Sequence, residues 1–193
     1  MLTLWDLVRG VIPRRQTANA KAAPKPKQTA ATASAPKQSG MQDRYDAVVR
    51  EMLAKYGVRV RRWRSSMSGI AWEVVYHDGR VNRLIESPKP KGPMSAAIFL
   101  HEIGHHAIGL GTYRPRCLEE YHAWAFSLAQ MEQLGLNVTD AVRKRMHLSL
   151  RYAVAKASRR GLRELPPVLE PYTHPWKAPS TGSQRRAGRR QGR

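Results

Sequence analysis

"FLHEIGHHAIG", residues 99–109, sets three histidines and one glutamate inside an apolar run. The run predicts a helix, in which His101 and His105 lie one turn apart on a shared face. From that face both imidazoles can reach one ion at Zn–N distances of about 2.0–2.1 Å. Glu102 sits beside His101 and three residues before His105, where its carboxylate can reach an ion-activated water without being a ligand. This is the H-E-x-x-H arrangement, here "HEIGH". Gly104 has no side chain, which lets another element approach the helix beneath the ion. His106 lies about 100° further round the helix, so a supporting or surface role is its default. The competing reading is an exposed helix face on which histidines coincide.

Working outward, "MSAAIFLHEIGHHAIGL" is expected to be one helix, ending near Gly109 and Gly111. Upstream, "MQDRYDAVVREMLAKYG" places Tyr45, Val48, Val49, Met52 and Leu53 at helical spacing, with Gly57 as the stop. "VRVRRW" alternates, with Val58, Val60 and Arg62 opposite Arg59, Arg61 and Trp63. "GIAWEVVYHDGRVNRLIES" reads as two strands joined at Asp78-Gly79. The expectation is a small antiparallel sheet of three strands. Downstream, "RCLEEYHAWAFSLAQMEQLG" and "DAVRKRMHLSLRYAVAKASRRG" read as helices, the second capped by Thr139 or Asp140 and stopped at Gly161. "LRELPPVLEPYTHPW" is expected to turn and wrap the body. The order is an α+β plan.

Two histidines and a water leave a catalytic zinc one protein ligand short. Glu120 lines up with Ala123, Trp124, Ser127, Met131 and Leu134, an inward stripe, and a carboxylate there needs a partner. Glu119 lines up with a more polar face and stands second. Cys117 and His122 are further possible ligands. Both glutamates also suit the positive end of a helix dipole without any metal.

H-E-x-x-H followed by a helix carrying E-x-x-A resembles the gluzincin metallopeptidases, and "EYHAWAF" resembles the E-x-E-A-D-x-F-A segment of the ImmA/IrrE family. The order of helix, three-stranded sheet, motif helix and glutamate helix is similar too. The resemblance covers roughly residues 41–136 and implies a minimal zincin-like domain. It implies zinc held by His101, His105 and Glu120, Glu102 as general base, and a protein or peptide substrate. Two features depart from the family pattern. Trp124 stands where the family has the Asp that buttresses a zinc histidine, and the segment from His105 to Glu120 is short. Candidates for an oxyanion donor are Tyr113, Tyr121, His122, His147 and Tyr152. By fold analogy, "RVNRLIES" would bind an extended substrate by strand addition.

The 193 residues carry 34 Lys/Arg against 14 Asp/Glu, a formal charge of +20. Residues 1–40 hold seven bases and one acid, and residues 176–193 hold six bases and no acid. Both ends are poor in large apolar residues and read as basic disordered segments around a domain at 41–175. Such charge attracts nucleic acid, so the tails are candidate nucleic-acid contacts. An alternative reading follows: a nucleic-acid-associated zinc-binding protein whose metal is structural or whose peptidase activity is vestigial. No helix-turn-helix, zinc-finger or RNP pattern accompanies it. One cysteine, Cys117, excludes an intrachain disulfide and suits a reducing, cytoplasmic setting. No apolar run reaches the roughly 18 residues of a membrane span. Residues 1–12 read as a short amphipathic segment, a lead-in or a weak transit peptide.

Overall fold

The computed structural model describes residues 40–178. The calls of a disordered lead-in and a basic tail fall on residues 1–39 and 179–193, outside the described residues. The described elements run α1 (Gly40–Tyr56), β1 (Val58–Arg64), β2 (Ile70–Val75), β3 (Val81–Pro88), α2 (Pro93–Ile108), α3 (Arg116–Gln133), α4 (Asp140–Arg159) and a 3₁₀ helix at Pro167–Thr173. The α+β order read from the sequence holds. Gly57 ends α1 with φ of 62°, a left-handed conformation that suits glycine. Thr139 caps α4 by accepting from the Val142 N–H at 3.3 Å.

The sheet is mixed rather than antiparallel. Its order is β1-β3-β2, with β3 antiparallel to β2 and parallel to β1. β3 carries Ile85, Glu86 and Ser87, all buried, and takes the centre. β1 carries four arginines and takes an edge, where charged side chains keep access to water. The simple alternation expected of β1 also fails. Val60 pairs with Ile85 and Arg62 with Glu86, so Arg61 is bulged out of register. Arg61, Arg62 and Arg64 therefore all reach the buried Glu86, at 2.8, 3.2 and 3.0 Å. Because both edges of β3 are paired, it cannot receive a substrate strand, and that expectation is corrected. Among the described residues, the free edges belong to β1 and β2.

α2 is the centre of the fold. It touches α1, β2, β3, α3 and α4, and every residue from Ser95 to His106 is buried. A helix covered on all sides reads as apolar all round, which is the character of "SAAIFL". Phe99, Leu100 and Ile103 are fully buried, each contributing about 1.5–3 kcal/mol. α3 lies against α2 at Gly104, and the Ser127 hydroxyl donates to the Ala97 carbonyl at 2.7 Å. The 3₁₀ helix wraps the far side of α4 through the fully buried Leu169. Trp176, which the sequence places in the tail, packs on His147. None of the described helices is long and apolar enough to cross a membrane.

Candidate metal centre

The histidines of α2 are not on an exposed face. His101, Glu102, His105 and His106 are 7%, 5%, 3% and 5% exposed. That removes the reading of coincidental surface histidines, because a buried polar group needs a partner. His101 Nε2 lies 3.4 Å, and His105 Nε2 3.6 Å, from Oε2 of Glu120. One donor atom from each of the three residues falls within 4.8 Å of the others. Ligands about 2.0–2.1 Å from a tetrahedral zinc stand about 3.3–3.4 Å apart, close to the two imidazole–carboxylate separations. The chemistry of the set, two borderline nitrogens and one oxygen, suits a divalent transition-metal ion.

Gly104 makes the geometry possible. A Cβ there would lie 2.8 Å from the Ala123 carbonyl oxygen and 3.1 Å from Phe126. Its absence lets α3 approach until Glu120 faces the two histidines.

Glu119 is misplaced by the sequence reading. It is 1% exposed and lies on the buried side, not a polar face. Its Oε1 faces His105 Nδ1 at 3.2 Å and its Oε2 accepts from the Gly111 N–H at 2.8 Å. It is outside the three-atom cluster and orients His105, the kind of outer partner a ligating histidine uses. The buttress missing at Trp124 is thus supplied to His105 by Glu119. His101 has no such partner. Its Nδ1 makes no hydrogen bond among the described residues, and its ring stacks on Trp124 with centroids 4.4 Å apart.

His106 is buried rather than superficial and ties α2 to the sheet, with Nε2 3.1 Å from the Leu84 carbonyl. Cys117 is buried and unpaired but outside the cluster. His122 stacks on Tyr113 and is outside the cluster too.

Burial pushes the Glu102 carboxyl up to about 8. Part of that burial comes from Gly69, which packs so close that a Cβ there would overlap the Glu102 side chain. Burial would also raise Glu120, but the imidazoles of His101 and His105 hold its carboxyl well below the ordinary range. Burial lowers His101. It opposes charge on His105 as well, yet the facing Glu120 carboxylate raises that imidazole.

A cleft of about 1070 Å³ opens over the cluster, lined by His101, Glu102 and Glu120 and by Gly69 at the start of edge strand β2. Of the five oxyanion candidates only Tyr152 lines it. Tyr121 packs on Tyr172, and His147 Nε2 faces the His174 carbonyl at 2.9 Å. Arg145, a cleft residue the sequence reading did not single out, donates to the Met67 carbonyl at 3.0 Å. Comparison with family models, curated proteins and solved structures finds no match for this chain.

Proposed function

We propose that this protein is a zinc-dependent metallopeptidase of the kind implied by the ImmA/IrrE resemblance, hydrolysing a peptide bond in a protein substrate. The observation that carries the reading is the convergence of His101 Nε2, His105 Nε2 and Glu120 Oε2 beside a buried glutamate at an open cleft. His101, His105 and Glu120 would hold the zinc. Bound there, zinc supplies Lewis-acid activation of water and polarisation of the scissile carbonyl.

Glu102 then does the proton work. A buried carboxylate beside the ion-activated water can take a proton from it and return the proton to the leaving nitrogen. It accepts a proton from water as the water oxygen bonds to the carbonyl carbon. It then delivers that proton to the amide nitrogen as the C–N bond breaks, giving a carboxylic acid and an amine. Glu119 holds the His105 ring in one orientation throughout. The free edge of β2, which starts beside Glu102, is the strand on which an extended peptide would pair. The buried free Cys117 agrees with a reducing, cytoplasmic setting.

The test is turnover of proteins from the native host, comparing wild type with Glu102→Gln at equal zinc occupancy. Gln cannot accept the proton, so hydrolysis should fall by about 10²–10⁴-fold with zinc retained. Equal activity in the two would remove Glu102 from the mechanism.

A second reading is favoured by the charge of +20: a nucleic-acid-associated protein in which the same three residues hold a structural metal. It predicts zinc without hydrolysis in either form, and nucleic-acid affinity that falls steeply with salt.

A further inference from the structure

We propose that the cleft leading away from the His101–His105–Glu120 cluster recognises an acidic polypeptide segment along one face of α4. The proposal deepens the peptidase reading by naming its substrate class, and it rests on that reading for the cut bond.

Arg145, Leu148, Ser149, Tyr152, Lys156 and Arg160 all line the cleft. Their spacing of three and four residues makes one continuous stripe along α4 that ends at its C-cap residue, Arg160. Leu148 and Tyr152 are 44% and 63% exposed, so the middle of the stripe offers open apolar surface. Cations stand at both ends of it. Arg116 also lines the cleft, but its guanidinium is already engaged with Glu119 and Glu120. Among the described residues, no carboxylate pairs with Arg145, Lys156 or Arg160.

Arg145 supplies an independent sign. Its Nε is buried and has no hydrogen-bond partner, while the other end of the guanidinium donates to Met67. An arginine anchored to a backbone carbonyl and paired with no carboxylate keeps its positive charge for an acidic group in the cleft. Among the described residues, the only carboxylates lining the cleft are Glu102, packed under Gly69, and Glu120, which faces the two histidines.

The spacing separates peptide from nucleic acid. Arg145 and Lys156 are eleven residues apart, about 16 Å along the helix, with no cation between them on the stripe. A strand of phosphates carries a charge at every nucleotide and would leave its middle charges unmatched along this stripe. A peptide with spaced acidic residues meets both ends and lays apolar side chains on Leu148 and Tyr152. From Arg145 to Arg160 is about 22 Å, the reach of roughly seven extended residues. The chain's own ends do not suit the cleft. Residues 1–40 and 176–193 are strongly basic and would be repelled.

The experiment is lysine footprinting on the full chain carrying Glu102→Gln, which binds without cutting. Amine acylation is followed by mass spectrometry at Lys156 and at Lys144, an exposed α4 lysine outside the cleft. The probes are a peptide of about ten alternating Glu and Ser residues, the same peptide with Gln for Glu, and oligodeoxythymidylate of similar length. The acidic peptide should slow acylation of Lys156 several-fold and leave Lys144 unchanged. Arg160→Ala should remove the protection, whereas Arg151→Ala, exposed on α4 but off the cleft, should keep it.

Equal effects at the two lysines, equal protection by the Gln peptide, or no protection would overturn the proposal. Stronger protection by the oligonucleotide would assign the cleft to nucleic acid and overturn it too. Hydrolysis by wild type without protection would sink this proposal and leave the peptidase reading. Protection without hydrolysis by wild type would do the reverse.

Discussion

Gly104→Ala tests how the metal centre is assembled, because it adds one methyl group where α2 and α3 touch. That methyl would stand 2.8 Å from the Ala123 carbonyl oxygen and 3.2 Å from its Cα. Ordinary contacts begin near 3.4–4 Å, and both neighbours are backbone atoms that no rotamer change can move. α3 must therefore retreat by about half an ångström. Overpacking of this kind costs about 1–3 kcal/mol. Replacing glycine inside a helix returns about 1 kcal/mol, so the net loss of stability should be modest, about 0–2 kcal/mol. The proposed metal site is less forgiving. His101 and His105 ride on α2 and Glu120 on α3, and ligand distances tolerate only about ±0.2 Å. Zinc affinity should fall by about 10- to 100-fold, which a competing chromophoric chelator measures directly. Urea unfolding of the metal-free protein gives the stability. A variant that is about 1 kcal/mol more stable and binds zinc as wild type does would refute the argument, because the close approach at Gly104 would then not set the position of Glu120.

Glu119→Ala leaves His105 Nδ1 and the Gly111 N–H without their buried acceptor, so metal-free stability should drop by about 2–4 kcal/mol and zinc affinity by about 10- to 100-fold. Glu120→Gln should cost more zinc affinity and less stability; the opposite ranking in calorimetry and metal competition would make Glu119 the ligand. Glu86 carries the pH dependence. Burial opposes its charge, but Arg64, Arg62 and Arg61 hold its carboxyl below the ordinary glutamate range. Its folded pKa lies below the unfolded one, so its contribution is complete above about pH 4.5 and is lost as pH falls through the depressed value. Wild type and Glu86→Gln, compared by urea unfolding across that range, should differ above it and converge in acid; a gap independent of pH would contradict the ion-pair account.

Much of this was legible because helices write their period into the chain. Tyr45, Val48, Val49 and Met52 are all buried on α1, and Gly57 ends that helix where the stop was read. The histidine pair was legible for the same reason, since i and i+4 share a face whatever surrounds the helix. Strand partnership is set by tertiary placement, and it was not. The turn at Gly79 fixed the β2–β3 pair, but no local signal said that β1 would lie parallel to β3. The four arginines of β1 and the apolar end of β3 were a signal for edge and centre that alternation alone did not use. Glu119 was misread because a helical wheel assumes that one side of α3 faces solvent. At its first turn the segment after α2 crosses that side and donates Gly111 N–H to the carboxylate. The cationic stripe of α4 was invisible for a related reason. Arg145, Lys156 and Arg160 look like solvated charge until the fold sets them along the cleft over Glu102.

Metal stoichiometry of the purified chain, by elemental analysis after zinc reconstitution and removal of excess, tests the central claim most directly. Wild type, Glu102→Gln and His106→Ala should each hold about one zinc per chain, because Glu102 and His106 lie outside the three-atom cluster. His101→Ala and His105→Ala should hold none tightly. A folded wild-type protein that stays metal-free, or a His101→Ala variant that keeps its zinc, would contradict the account.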